Sequence, residues 1–270
     1  MCTDPSQSKA PKRRDTGRSP KRYAAVIVDL FDTVVRFCYS RLPRIETDGR
    51  IVYTTSPVVF ECFWPRVRSV PFGQFHTVFR RTYRRFEAMK RARQVEYPNR
   101  LRFLMLLEEL GLRLPACEAE QLAESMSQAH MEVLMRGVVF PNAHKETLRY
   151  LSRRYPLGLL TNFDHSPTVR RLLGELGIER FFDAVTISAD HGMRKPREEL
   201  FLKTASMLGA HVEETVFVGD NYAEDVVGAK RSGMDAVWVA LGRKVAAGAS
   251  STGEAADYVV DSFPEVTSIL

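Results

Sequence analysis

Four short stretches hold the side chains that could do chemistry: "DLFDT" from Asp29, "LLTN" ending at Asn162, "RKP" around Lys195, and "VGDNYAED" with Asp220 and Asp225. Asp29 ends the apolar run "AVIV" (25–28), and a carboxylate at the end of a buried strand is costly to desolvate unless it is paired or binds a cation. A carboxylate that attacks phosphorus needs one cation to offset two anions, a second to hold the transferring group, and a hydrogen-bond donor for the phosphoryl oxygens. Asp29, Asp220 and Asp225 can build the first site, for Mg²⁺, a hard cation suited to carboxylate, carbonyl and water oxygens. Lys195 offers the second cation and Thr161 the hydroxyl.

The elements that must bring these residues together are legible from apolar patterning. "LGLLT" (157–161), "DAVTIS" (183–188), "TVFVGD" (215–220) and "DAVWVA" (235–240) predict strands. Between them "HSPTVRRLLGELG", "PREELFLKTASMLG" and "YAEDVVGAKRSG" predict helices, with Gly177, Gly209 and Gly233 just past their ends, where a left-handed residue is wanted. Continuous apolar strands separated by helices indicate an α/β fold whose parallel sheet is covered on both faces. Ligands of such sheets bind beyond the C-terminal ends of the strands, so Asp29, Thr161 and Asp220 should converge on one crevice.

The stretch after the first strand has another character. "RIETDGRIVYTT" (44–55) alternates apolar residues about Asp48-Gly49, a strong hairpin signal. Three amphipathic helical segments follow: "PFGQFHTVFRRTYRRFEAMKRARQ", "PNRLRFLMLLEELG" and "ACEAEQLAESMSQAHMEVLMRG". The expected plan is an α/β core from residues 23–35 and 137–270, a flap hairpin at 36–56, a helical domain at 57–136, and a basic tail at 1–22.

Length and composition agree with a soluble, globular protein: 270 residues, 44% of them hydrophobic, are ample for a buried core. No apolar run approaches the roughly 18–20 residues that span a bilayer, and the basic N-terminus leads into a stretch carrying two aspartates, unlike a secretory signal. The four cysteines, Cys2, Cys38, Cys62 and Cys117, are scattered without metal-ligand spacing, which argues for a reducing cytoplasm. The net charge of +6 is unevenly spread: +5 in residues 1–22, +6 in 36–136, and −5 in the remainder. The tail has too few apolar residues to fold and reads as a solvated disordered leader rather than a nucleic-acid arm. In "FRRTYRRFEAMKRARQ" (79–94), Phe79, Phe86 and Met89 fall toward one side of a helix and Arg80, Arg84, Arg85 and Arg91 mostly elsewhere. That is the pattern of a packed stripe and a solvated basic face; its charge would also draw a small anionic substrate.

In order and context, "DLFDT", "LLTN", "RKP" and "VGDNYAED" resemble the four motifs of the haloacid dehalogenase-like hydrolase superfamily. The likeness is to the branch with a helical cap inserted between the first two motifs. It implies a doubly wound Rossmann-like core with a flap hairpin and a cap. It further implies a Mg²⁺-dependent phosphatase of small phosphorylated metabolites, with Asp29 forming an aspartyl-phosphate. Thr161 would bind phosphoryl oxygens, Lys195 would balance charge, and Asn162 would join them at the substrate. The metal would be held by Asp29, Asp220, Asp225 and the backbone carbonyl of Phe31. The chain departs from the motif at Phe31, where family phosphatases usually carry a second aspartate as general acid and base. Phe31 cannot transfer a proton, and that role contributes roughly 10²–10⁴-fold. Asp32 is the obvious substitute, but on an extended backbone it would point away, which predicts a structural role in a turn. An aromatic residue at this place is similar to what haloacid dehalogenases have, so a 2-haloacid dehalogenase acting through Asp29 is the alternative. A catalytically weakened phospho-ligand sensor is a further one.

Overall fold

Six short, almost wholly apolar segments line up in parallel to form the central sheet of the computed structural model, which describes residues 22–47, 49–243 and 256–270 and the backbone of 12–13. Along the chain the strands are β1 (Lys12–Arg13), β2 (Ala25–Val28), β3 (Arg36–Phe37), β4 (Arg44–Thr47), β5 (Arg50–Tyr53), β6 (Val138–Val139), β7 (Leu157–Thr161), β8 (Ala184–Ile187), β9 (Thr215–Gly219), β10 (Asp235–Val239) and β11 (Tyr258–Val260). The helices are α1 (Ser56–Phe63), α2 (Phe72–Arg93), α3 (Asn99–Glu109), α4 (Ala116–Met135), α5 (Asn142–Ser152), α6 (Ser166–Glu175), α7 (Glu198–Met207) and α8 (Val227–Arg231). Two compact units result: residues 1–36 with 139–270, and residues 37–138.

In the first unit the sheet order is β1-β11-β10-β9-β2-β7-β8, parallel except for β1, which pairs antiparallel with β11 at the edge. Every residue of β2, β7, β9 and β10 is buried, because side chains on both faces of these strands are covered. Ile27, Leu160, Phe217, Ala236 and Trp238 pack with Leu200, Phe201 and Ala205 of α7 and Ala229 of α8. The chain runs from β2 outward through β7 to β8, then returns to lay β9, β10 and β11 on the other side of β2. The order therefore reverses at β2, and the loops leaving the C-terminal ends of β2, β7 and β9 open a crevice at that switch point.

Gly177, Gly209 and Gly233 take φ values of +63°, +66° and +86°, the left-handed helix ends that the sequence predicts. The helix predicted from Tyr222 differs at its start. Tyr222–Val226 is a wide π-type turn that passes into α8. There the Asp225 carboxylate accepts a hydrogen bond from the Asn221 amide (2.9 Å) while the Asn221 side chain accepts from the Glu224 amide (3.3 Å). Besides the two-residue strands β1, β3 and β6, three elements lie outside the sequence expectations. In α1 the apolar residues are contiguous, in α5 the buried face includes His144 and Thr147, and β11 has only three residues; none presents a long periodic stripe.

The second unit begins with the β4–β5 hairpin, paired from Arg44↔Tyr53 to Thr47↔Arg50, with Gly49 at φ +66° in its two-residue turn. Asp48 lies outside the described residues, as does most of the 1–22 tail. Helices α1 to α4 pack around Phe63, Phe75, Phe79, Phe103, Leu106 and Met126. On α2, Phe79 and Phe86 are buried and Met89 is partly buried, while Arg80, Arg84, Arg85 and Arg91 are exposed, as the periodicity predicts. Among the described residues no helix is long and apolar enough to cross a membrane.

Candidate active site

Asp29, the residue after β2, is fixed by its own amide, which donates to the Val218 carbonyl of β9 (2.9 Å). Its carboxylate meets Lys195 Nζ at 2.6 Å. Lys195 is almost fully buried; its Nζ donates to Asp29 Oδ1 and to the Leu160 carbonyl (3.1 Å) and ion-pairs with Asp225 Oδ1 at 2.6 Å. Its ammonium also lies 5.2 Å from the centre of the Phe217 ring. A buried ammonium with two carboxylates is held charged. Burial pulls its pKa down, but Asp225 and Asp29 outweigh burial and raise it above the ordinary lysine range.

The carboxylates respond in the opposite sense. Burial lifts Asp29 to about 8; Lys195 opposes the rise and the charges of Asp225 and Asp220 add to it. Asp220 is raised to about 6, chiefly by burial and by Asp225, although Arg243 Nη2 donates to its Oδ2 at 2.7 Å. Asp225 is also raised, again by burial first. Ligand oxygens of Asp29, Asp220 and Asp225 lie within 4.8 Å of one another. Three crowded carboxylates exceed what the buried Lys195 ammonium and the Arg243 guanidinium together offset, so the donor set fits a small divalent cation with oxygen ligands. The approach of Asp225 depends on Gly219: a Cβ there would collide with the Asp225 carboxylate.

Thr161, the last residue of β7, is buried, and its hydroxyl has no hydrogen-bond partner among the described residues. An unpartnered buried hydroxyl costs about 1–3 kcal/mol, which a ligand with acceptor oxygens would relieve. Asn162 is placed differently from a side chain open to substrate. Its Oδ1 accepts from the Lys195 amide (2.8 Å), and its Nδ2 donates to the Lys195 carbonyl (3.2 Å) and to Glu224 Oε2 (2.9 Å). Those bonds occupy the amide with holding the Lys195 loop.

Phe31 lies in the turn after β2, bridged to Val35, and its ring stacks on Phe163 with centroids 4.9 Å apart and planes 23° from parallel. Asp32 takes a left-handed φ of +59°, which aspartate tolerates. The extended-strand reading that turned Asp32 away from the crevice therefore does not hold here; the backbone turns at that residue, and the Asp32 charge acts on Asp220. His165 bonds Thr168 Oγ1 at 2.8 Å at the start of α6, a local contact between side chains.

Four participants escaped the sequence reading: Arg194, Glu224, Phe163 and Arg243. Arg194 is buried and donates to Glu224 Oε1 at 3.0 Å, completing a chain from Arg194 through Glu224 and Asn162 to the Lys195 backbone. Arg194 and Glu224 stand beside Lys195 and Asp225 in the sequence, and that adjacency was the available signal. Nothing in the spacing pairs Phe31 with Phe163 or Asp220 with Arg243.

Known proteins resemble this chain in both sequence and fold. A glyceraldehyde 3-phosphate phosphatase of Pyrococcus furiosus is 33% identical over 130 residues, 48% of this chain and 53% of that protein. A phosphoserine phosphatase of Thermus thermophilus is 33% identical over 140 residues, 52% of this chain and 53% of that protein. The chain thus spans about half the length of the curated relatives it matches. Two solved structures share the fold. The HAD-hydrolase YfnB of Bacillus subtilis bound to magnesium has TM-score 0.57 and 21% identity, covering 93% of this chain and 99% of that one. A 2-haloacid dehalogenase of Pseudomonas syringae has TM-score 0.63 and 20% identity, covering 92% and 97%. The family model of the haloacid dehalogenase-like hydrolases matches residues 23–233, most of the core and the whole insertion, and the chain belongs to that family.

Proposed function

We propose that this chain is a Mg²⁺-dependent phosphatase of small phosphorylated metabolites that works through an aspartyl-phosphate on Asp29. The observation that carries the reading is the cluster of Asp29, Asp220 and Asp225, two of them ion-paired with Lys195, together with the buried Thr161 hydroxyl, which has no hydrogen-bond partner among the described residues. A dehalogenase displacing halide from carbon has no use for three crowded carboxylates; a site for a cation and a phosphoryl group does. Relatives named as phosphatases, matching about half their length, support it from sequence.

In this reading Asp29, Asp220, Asp225 and the Phe31 carbonyl hold Mg²⁺, which when bound offsets the negative charge of phosphoryl group and carboxylates. Lys195 orients the attacking carboxylate through its 2.6 Å contact and, together with the bound cation, favours its ionised form. The Thr161 hydroxyl donates to a phosphoryl oxygen. Asp225 anchors Lys195, and Asn162, with Glu224 and Arg194 behind it, fixes the backbone on which Lys195 stands. The 44–53 hairpin and the helices after it take the family's flap and cap roles.

Phe31 favours a second reading, a 2-haloacid dehalogenase with Asp29 as nucleophile. One experiment separates the two: phosphate release from nitrophenyl phosphate and chloride release from 2-chloropropionate, each with Mg²⁺ and with chelator. Phosphate release that requires Mg²⁺ and vanishes in Asp29→Asn is the expected result. Chloride release independent of metal, with no phosphate release, would overturn the proposal in favour of the dehalogenase.

A further inference from the structure

The stacked pair Phe31–Phe163 bridges the turn that follows Asp29 and the loop that follows Thr161, so an apolar, proton-inert wall stands between two candidate catalytic segments. Four acids of the site are engaged. Asp29 and Asp225 pair with Lys195, Asp220 with Arg243, and Glu224 with Arg194 and Asn162. A leaving oxygen that departs as a strongly basic alkoxide needs a proton in the transition state; one that departs as a stable anion does not.

We infer that this site serves phosphate joined to an acidic oxygen, an acyl or aryl phosphate, because the Phe31–Phe163 pair supplies no proton to the departing group. The inference rests on the phosphatase reading given above and narrows its substrate class. In the first step an Asp29 carboxylate oxygen bonds to phosphorus and the bond from phosphorus to the leaving oxygen breaks, its electron pair leaving on a carboxylate or phenolate. In the second, water bonds to phosphorus, the bond to the Asp29 oxygen breaks, and its electrons restore the carboxylate. The protons of water remain with the product as dihydrogen phosphate. Alkyl phosphates, whose alkoxide needs a proton, react poorly.

The test is a leaving-group series at saturating Mg²⁺: acetyl phosphate, dinitrophenyl, nitrophenyl and phenyl phosphate, and glycerol phosphate. It is run on the full chain and on Phe31→Asp, Phe31→Leu and Asp32→Asn. Because kcat/KM reports the first transfer, it is expected to fall at least ~10²-fold from the nitrophenyl ester to the alkyl ester. Phe31→Leu and Asp32→Asn should keep that slope, and Phe31→Asp should flatten it. A flat series in the native chain, or a slope that steepens in Asp32→Asn, overturns this inference alone, since another group then gives the proton. Silence toward every ester, in the native chain and Phe31→Asp alike, overturns the phosphatase reading and the inference with it.

Discussion

Thr161 and Lys195 show how far single side chains are committed in advance. Lys195 is tied to Asp29, Asp225 and the Leu160 carbonyl, whereas the buried Thr161 hydroxyl has no hydrogen-bond partner among the described residues, a cost of about 1–3 kcal/mol carried by the fold. Thr161→Val, which keeps the shape and removes the unpartnered group, should leave the thermal midpoint unchanged or slightly raised. It should lower kcat/KM toward a phosphate ester about 10²-fold. Parallel thermal denaturation and steady-state kinetics check both halves; a large loss of stability would mean that the hydroxyl is structural. The residue types of this site were legible in the sequence because each ends a strand or precedes a helix at a recognisable place. The partnerships were less so. That Asn162 spends its amide on the Lys195 backbone, or that Asp32 sits at positive φ, depends on loop paths that no periodicity encodes.

At the scale of elements, the Lys195 loop is tied to the turn at Tyr222–Val226 by Glu224, which accepts from both Arg194 and Asn162. Glu224→Ala removes the carboxylate shared by those donors, and unfolding in urea should show a loss of about 2–3 kcal/mol. Turnover should fall as well, because Lys195 loses the frame that aims it at Asp29. Glu224→Gln, which still accepts from Asn162, should retain more of both; equal loss in the two variants would contradict a role in holding Asn162. The strands and helices of the core were readable because β7, β9 and β10 are uninterrupted apolar runs closed by glycines at the helix ends. The π-type turn was not readable. Its residues read as ordinary helix, and what widens it is Asp225 reaching for the Asn221 amide and Lys195, contacts with partners outside the helix itself.

For the whole molecule, the crowded carboxylates couple stability to pH and, in the proposed reading, to metal. Asp29 rises from 3.8 to about 8 and Asp220 from 3.8 to about 6, so between those limits the folded state keeps protons that the unfolded chain has released. Without a divalent cation, stability should therefore fall as pH rises through that window. Lys195, whose pKa is raised, contributes its stability throughout that range and loses it only at alkaline pH. The thermal midpoint in chelator should drop by roughly 3–6 °C between about pH 5 and about pH 8, and saturating Mg²⁺ should remove the drop. A midpoint that rises with pH in chelator would contradict the crowded-carboxylate account. Doubly wound topology was legible at this scale from the alternation of strands and helices, which fixes where the crevice must lie. The central claim is that Asp29 carries the phosphoryl group, and trapping that intermediate tests it most directly. The protein is mixed with acetyl phosphate and Mg²⁺, quenched, reduced with borohydride and mapped by mass spectrometry. Conversion of residue 29 to homoserine, dependent on Mg²⁺, is the predicted result; an unmodified Asp29 alongside steady phosphate release would contradict it.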